Sequence, residues 1–209
     1  ADCGRSKRSA QGNLWNRNGD QRMKIYLIRH GKTKGNLEER YIGRTDEPLC
    51  EAGRENLKKY QYPQVEMVFT SPMKRCMQTA ETIYPGQQYQ CIEELRESDF
   101  GAFEGHTYKE LSGDVRYQAW IDSGESRKEV RDRCIRGIET ALKIAEKEHA
   151  SQIAFVVHGG TIMNVMEKYA RPRGQYYDFQ VKNGEGYVLN LKSKTENNQC
   201  NYRKCSFDK

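Results

Sequence analysis

The chain predicts an α/β fold, one sheet with helices on both faces, and two observations carry that expectation. Segments apolar on both faces recur at Ile25–Ile28, Val65–Thr70 and Ile153–Val157, which suits central strands covered from both sides. Between and after them, apolar residues fall at three- and four-residue steps, the spacing of amphipathic helices. Strands alternating with helices place a sheet between helical layers.

Taken in order, Ala1–Arg22 is rich in Gly, Asn, Arg and Gln and has no periodicity. It reads as a disordered leader or an upstream extension, with the folded domain starting at Met23. Ile25–Ile28 is the first strand and Val65–Thr70 the second. Ser71-Pro72 then opens a helix to about Tyr84, with Ser71 as N-cap and Pro72 at the first helical position. Ser126-x-x-Glu129 is a capping box. It starts a long helix to about Glu148, whose Val130, Cys134, Ile138, Ala141 and Ala145 share one face. Ile153–Val157 is the next strand and Thr161–Tyr169 a shorter helix. Gly186–Leu191 reads as a last strand at a sheet edge. From Lys192 to Lys209 the composition turns polar, as expected of a disordered tail. The expected organisation is therefore a leader over 1–22, one domain over 23–191, and a tail over 192–209.

With 209 residues, the chain is long enough for one domain with a core of its own. Only 36% of it is hydrophobic, so part of it is not core-forming. The net charge of +6 sits at the ends. Ala1–Arg22 and Lys192–Lys209 each carry five Lys/Arg against two Asp/Glu, which leaves the body between them neutral. A nucleic-acid partner would want a basic face on the folded body, so none is expected. No apolar run approaches the length of a membrane span, and Ala1–Arg22 lacks the apolar stretch of a secretory signal. Seven cysteines at scattered spacings, with no C-x-x-C, read as reduced thiols and a cytoplasmic location.

Three strands end in reactive residues: Arg29-His30-Gly31 after the first, Ser71 and one turn later Arg75 after the second, and His158-Gly159-Gly160 after the third. In open α/β sheets, ligands bind at the carboxyl ends of the strands. Two guanidiniums offer forked donors matched to phosphate oxygens. Arg75 lies in the first turn of its helix and Gly159-Gly160-Thr161 opens another, so both helix dipoles favour an anion. No carboxylate cluster suggests Mg²⁺ and no ligand set suggests Zn²⁺. A phosphate site built from Arg and His points to covalent catalysis by His, with neither metal nor cofactor.

These segments also carry a resemblance. Leu27-Ile-Arg-His-Gly-Lys-Thr-Lys-Gly-Asn36 resembles the R-H-G-x-T-x-x-N signature of the histidine phosphatase, or phosphoglycerate mutase-like, superfamily. Ser71-Pro-Met-Lys-Arg75-x-x-x-Thr79-Ala80 is similar to the family's second-arginine helix. Glu94-Leu-Arg-Glu97-Ser-Asp-Phe-Gly101-x-x-Glu104-Gly105 resembles its acid segment, and Val157-His158-Gly159-Gly160 its second-histidine turn. The resemblance implies a three-layer α/β/α sandwich with a mostly parallel central sheet. It implies His30 as nucleophile, with Arg29, Arg75 and His158 holding the phosphoryl oxygens. Asn36, Gly43 and the backbone at Gly159 would add phosphate or substrate contacts. Glu97 would be general acid and then base, with Glu94, Asp99 and Glu104 as rivals. From those roles, His30 should have one nitrogen held by a backbone acceptor. His158 is better placed charged beside a dianion, and a raised pKa would suit Glu97.

Phosphatase and mutase share such a site. The short stretch between Glu97 and Ile153 favours the phosphatase branch, since the mutases carry more sequence around it. Met23-Lys-Ile-Tyr-Leu-Ile-Arg-His30, Arg44-Thr-Asp-Glu-Pro-Leu49 and Val181-Lys-Asn-Gly-Glu-Gly-Tyr-Val188 resemble α-ribazole phosphatase-like members, which implies a role in cobalamin biosynthesis. The implied activity is hydrolysis of a small-molecule phosphomonoester. The alternatives are a cofactor-dependent phosphoglycerate mutase and a catalytically silent phosphate-binding relative. Trp120-Ile-Asp-Ser123 runs almost directly into Gly124, where relatives often carry a longer covering loop, so a more open site is expected. Lys32, Lys34, Arg40 and Arg44 form either a solvated basic loop or a welcome for further negative charge. Tyr41, Phe100, Phe103, Tyr108, Tyr117 and Trp120 offer aromatic surface near the acid segment. His106 reads as surface or as a substrate contact, and His149 as a cation at a helix C-terminus.

Overall fold

A computed structural model describes residues 23–110, 122–191, 200–205 and 207. Seven strands form one sheet: β1 (Met23–Arg29), β2 (Met67–Thr70), β3 (Tyr89–Cys91), β4 (Gln152–Val157), β5 (Ala170–Arg171), β6 (Gly186–Leu191) and β7 (Cys200–Cys205). Their order is β3-β2-β4-β1-β6-β7-β5. β1 runs parallel to β4, and β2 parallel to β4 and β3. β6 is antiparallel to both its neighbours, β1 and β7, and is the single reversed strand among the described residues. The helices are α1 (Lys34–Leu37), α2 (Glu51–Leu57), α3 (Lys74–Ile83), α4 (Arg127–Lys147) and α5 (Gly159–Tyr169).

Alternation along the strands builds two cores. Ile25 and Leu27 of β1 with Ile153, Phe155 and Val157 of β4 face one side, against Ile138, Ala141 and Leu142 of α4 and Ile162 and Met166 of α5. Ile28, Ala154 and Val156 face the other side, against Cys76 and Ala80 of α3. The result is the expected three layers around a mostly parallel sheet. Among the described residues, no helix is long and apolar enough to cross a membrane.

The capping box at Ser126 and Glu129 forms as read, and the long helix spans almost the expected residues. Four expectations need correction. First, α3 begins at Lys74 with Met73 as N-cap, not at Pro72 behind Ser71. The Ser71 hydroxyl accepts a long bond from the Met73 N–H at 3.4 Å and lies 2.7 Å from His158 Nε2, so it serves the strand end as well as the turn into the helix. Second, α5 begins at Gly159, two residues early, because His158 already has extended N-cap geometry. Third, β6 is an interior strand, paired along its whole length on both edges. Fourth, Cys200–Cys205 belongs to the sheet. Tyr202 packs edge-on against Phe179 and Tyr187, an apolar anchor that the polar composition around it concealed. Residues 1–22 and 192–199 lie outside the described residues, as do Tyr117 and Trp120.

Candidate active site

The parallel strands β1, β2 and β4 deliver Arg29-His30, Ser71 and His158 to one end of the sheet, where a cavity of ≈ 520 Å³ opens. Arg29, His30, Asn36, Glu97 and Gly159 line it. Arg75 and His158 stand buried behind them, 1% and 0% exposed.

His30 is buried, and its Nδ1 lies 2.6 Å from the Gly31 carbonyl. A carbonyl only accepts, so Nδ1 carries the proton and Nε2 keeps its lone pair. Burial, then the charges of Arg75 and Arg29, push the ring pKa well below the ordinary histidine value. The ring is therefore held neutral with one defined nucleophilic nitrogen, as its expected role requires. Gly31 is fixed in turn: its N–H donates to Thr79 Oγ1, which itself donates to the Arg75 carbonyl.

Each guanidinium is partly engaged by backbone. Arg29 Nη1 donates to the Val181 carbonyl at 2.8 Å, and Arg75 donates to the carbonyls of Thr45 and Gly43 at 2.9 and 2.8 Å. Yet Arg29 Nε and Arg75 Nε are buried without a partner. Buried donors are nearly always paired, so two orphans at one site mark a place for an acceptor.

Glu97 Oε1 accepts from the Ser98 N–H at 2.9 Å, and Oε2 lies 3.7 Å from His158 Nδ1. Burial raises its pKa, and this outweighs the Ser98 bond and the charges of Arg75, Arg29 and Arg133. Its rivals have other partners. Glu104 accepts from the N–H groups of Gly43 and Arg44 and from the Thr45 hydroxyl. Asp99 pairs with Arg44, and Glu94 is off the cavity wall.

Burial, then Arg75, His30 and Arg29, drive the His158 pKa well down. One site expectation is corrected. Gly43 does not face the cavity. Its N–H is spent on Glu104 and its carbonyl holds Arg75. An added Cβ there would stand 2.0 Å from the Ser98 carbonyl oxygen, which is why the position is glycine. Of the four basic loop residues, only Arg40 lines the cavity; it pairs with Glu38 and the Gly105 carbonyl. His106 pairs with Glu110 away from the cavity wall, and His149 sits just past α4 at φ 57°. Among the described residues, no group of three or more His, Cys, Asp or Glu is placed to hold a metal ion.

Residues 25–201 match a family model described as "Histidine phosphatase superfamily (branch 1)". The chain belongs to the histidine phosphatase superfamily. Phosphoglycerate mutase-like protein 4 of Arabidopsis thaliana is 32% identical over 170 residues, covering 71% of each chain. The adenosylcobalamin/alpha-ribazole phosphatase of Escherichia coli strain K12 is 25% identical over 189 residues, covering 82% of this chain and 92% of that one. The crystal structure of the alpha-ribazole phosphatase from Shigella flexneri shares the fold with a TM-score of 0.70 at 23% identity, covering 88% of this chain and 96% of that one.

Several site residues of this superfamily member escaped the sequence reading. Asn183 Nδ2 donates to the His30 carbonyl and to Asn36 Oδ1, at 3.0 and 3.1 Å. Asn36 Oδ1 also accepts from the Thr33 N–H, so what Asn36 offers the cavity is its NH₂. Asn183 lay inside a stretch noted for likeness, without a role. Tyr176 and Tyr177 line the cavity together with Tyr41, Phe100 and Phe103. A Tyr-Tyr pair in a loop flanked by Pro172 and Gly174 was the available signal. Tyr176 lies under the Arg127 guanidinium, 4.3 Å from the ring centroid. Cys76 Sγ lies 3.6 Å from His158 Nε2, and burial pushes its thiol above the ordinary range.

Proposed function

We propose that this histidine phosphatase is a metal-independent phosphomonoesterase acting on small phosphorylated metabolites through a phosphohistidine. The observation that carries the reading is His30, neutral and tautomer-locked by Gly31, beside two buried guanidinium Nε donors that lack partners. His30 Nε2 attacks phosphorus and the ester P–O bond breaks. Glu97 gives its proton to the departing oxygen. Water then attacks phosphorus, Glu97 takes a proton from it, and the P–N bond breaks to release phosphate and restore His30. Arg29 Nε, Arg75 Nε, the Asn36 NH₂ and the N-terminal N–H groups of α5 meet the phosphoryl oxygens. A dianion seated there opposes the charges that depress His158, so its ring gains a proton as substrate binds.

The wall of Tyr41, Phe100, Phe103, Tyr176 and Tyr177 supports a leaving group with an aromatic or sugar face. α-Ribazole 5′-phosphate is the first such substrate to test. The decisive assay is phosphate release from p-nitrophenyl phosphate in excess EDTA, wild type beside His30→Ala. Activity that survives the chelator and falls by about 10³-fold or more in the variant is expected for loss of a covalent nucleophile. Undiminished activity in His30→Ala sinks the assignment. A wild type silent on every monoester but active on 3-phosphoglycerate with a bisphosphorylated primer makes the chain a mutase.

A further inference from the structure

Glu97 lies in a segment without regular structure, between the 3₁₀ turn Glu93–Leu95 and the one at Gly101–Phe103. No strand ladder or helix sets its backbone, so something else must. The carboxyl group itself is held only lightly, by Ser98 on one oxygen and by His158 at 3.7 Å from the other.

Arg133 is on the buried face of α4, one residue before Cys134, and is 6% exposed. A guanidinium on an apolar stripe is costly to bury unless its donors are used. Here they are used, and on one target. Arg133 Nη1 donates to the carbonyls of Glu94 and Arg96 at 2.8 and 2.9 Å, and Nη2 reaches the Glu97 carbonyl at 3.4 Å. Nε and Nη2 also grip the Glu125 carboxylate at 2.8 and 2.6 Å, the forked geometry that fixes a guanidinium plane. Glu125 is itself tied to the same segment. Its Oε2 accepts from the Asp99 N–H, and its own N–H donates to the Asp99 carbonyl, both at 3.0 Å. The pair thus holds the backbone at residues 94, 96, 97 and 99 without touching the cavity.

We propose that the buried Arg133–Glu125 pair is a positioning device for the acid segment, setting where the Glu97 carboxyl meets the leaving-group oxygen. The inference rests on the reading of Glu97 as general acid. It separates Arg133 from a residue that merely fills space, because five of its hydrogen bonds converge on one catalytic segment and its carboxylate clamp.

The test uses leaving-group chemistry. p-Nitrophenolate departs without a proton, whereas an alkoxide needs one, so only the alkyl ester depends on a well-placed acid. kcat/KM reports the steps up to transfer onto His30 and so includes that protonation. It is measured for p-nitrophenyl phosphate and for glycerol phosphate in wild type, Glu97→Gln, Arg133→Lys and Glu125→Gln, with melting temperatures alongside. Arg133→Lys is expected to lose about 10-fold more on glycerol phosphate than on p-nitrophenyl phosphate, the scale of a reacting group misplaced by part of an ångström. Glu125→Gln keeps an acceptor for Arg133 and is expected to show a smaller loss of the same selectivity. Equal losses on both substrates, or none, in folded Arg133→Lys or in Glu125→Gln overturn the positioning role. Glu97→Gln stands as the reference. If it loses both substrates equally, the acid assignment itself falls, whatever the Arg133 variant does.

Discussion

At the scale of single residues, the site is a set of protonation states written by neighbours. In the proposed mechanism His30 attacks neutral, and burial beside Arg75 and Arg29 holds its pKa well below 6.5. Glu97 there releases the alcohol from its protonated form, and burial raises its pKa above 4.5. The signs then fix the pH dependence of kcat/KM. Activity rises with pH as His30 loses its proton, and that limb lies on the acid side of 6.5. Activity falls with pH as Glu97 ionises, and that limb lies above the ordinary carboxylate range. Dividing the wild-type profile by that of Glu97→Gln cancels the substrate's own titration. The quotient is expected to fall with rising pH through the Glu97 pKa; a flat quotient removes Glu97 from the acid's role. The residue types of this site were legible in the sequence, because Arg and His at strand ends match a phosphate. Two of their states followed from role, a backbone acceptor on one His30 nitrogen and a raised Glu97 pKa. The orphaned Nε atoms and the depressed His158 pKa follow from burial and distance, which no linear pattern carries. Gly43 misled for the same reason: its N–H is occupied by the Glu104 carboxylate, which the sequence pattern does not reveal.

At the scale of elements, local signals fared well where the chain's own side chains supply the answer. The Ser126–Glu129 box caps α4 because both partners lie within one turn. Ser71 keeps only a long bond to the Met73 N–H, while its shorter contact is to His158 from another strand, and the helix starts two residues later than a Ser71 cap would place it. α5 shows what the difference means for function. His158 makes no side-chain cap, so the helix begins bare at Gly159 and Gly160, both on the cavity wall, where its first N–H groups and dipole favour an anion. Gly160 is small for a reason that the structure makes specific. A Cβ there would lie 3.0 Å from Glu97 Oε1 and 3.5 Å from the Tyr176 hydroxyl. Alanine suits a helix better than glycine by about 0.5–1 kcal/mol. Gly160→Ala is therefore expected to melt no lower than wild type. It should nevertheless lose about 10-fold in kcat/KM on an alkyl phosphate, as the methyl displaces the acid. Full activity in a folded Gly160→Ala variant shows that the carboxyl has room to move and that its placement matters less than argued.

At the scale of the whole molecule, one sheet both assembles the site and buries the core. Its parallel strands β1, β2 and β4 bring the site together at their carboxyl ends, and this was readable because doubly covered strands announce themselves by continuous apolar runs. The reversed strand β6 was misplaced at an edge because periodicity reports which faces are covered, not which strand lies alongside. What covers the far edge of β6 is β7, paired from Gly186 with Cys205 to Leu191 with Cys200. Tyr202 brings its ring onto Phe179 and Tyr187, and the Phe207 carbonyl accepts from the Gln61 N–H at 2.6 Å. A chain ending at Leu191 loses these contacts, leaves β5 without its ladder partner and exposes a long apolar strand edge to other molecules. Burying one aromatic side chain is worth about 1.5–3 kcal/mol. In a domain of this size, that loss alone lowers the melting temperature by roughly 3–12 °C. Thermal melts with light scattering are expected to show the truncated chain melting earlier and associating, while its active-site residues, all upstream, still turn over substrate below the transition. An unchanged melting temperature and a monodisperse truncated chain would mean that β6 closes the sheet unaided, and that β7 decorates an edge already stable.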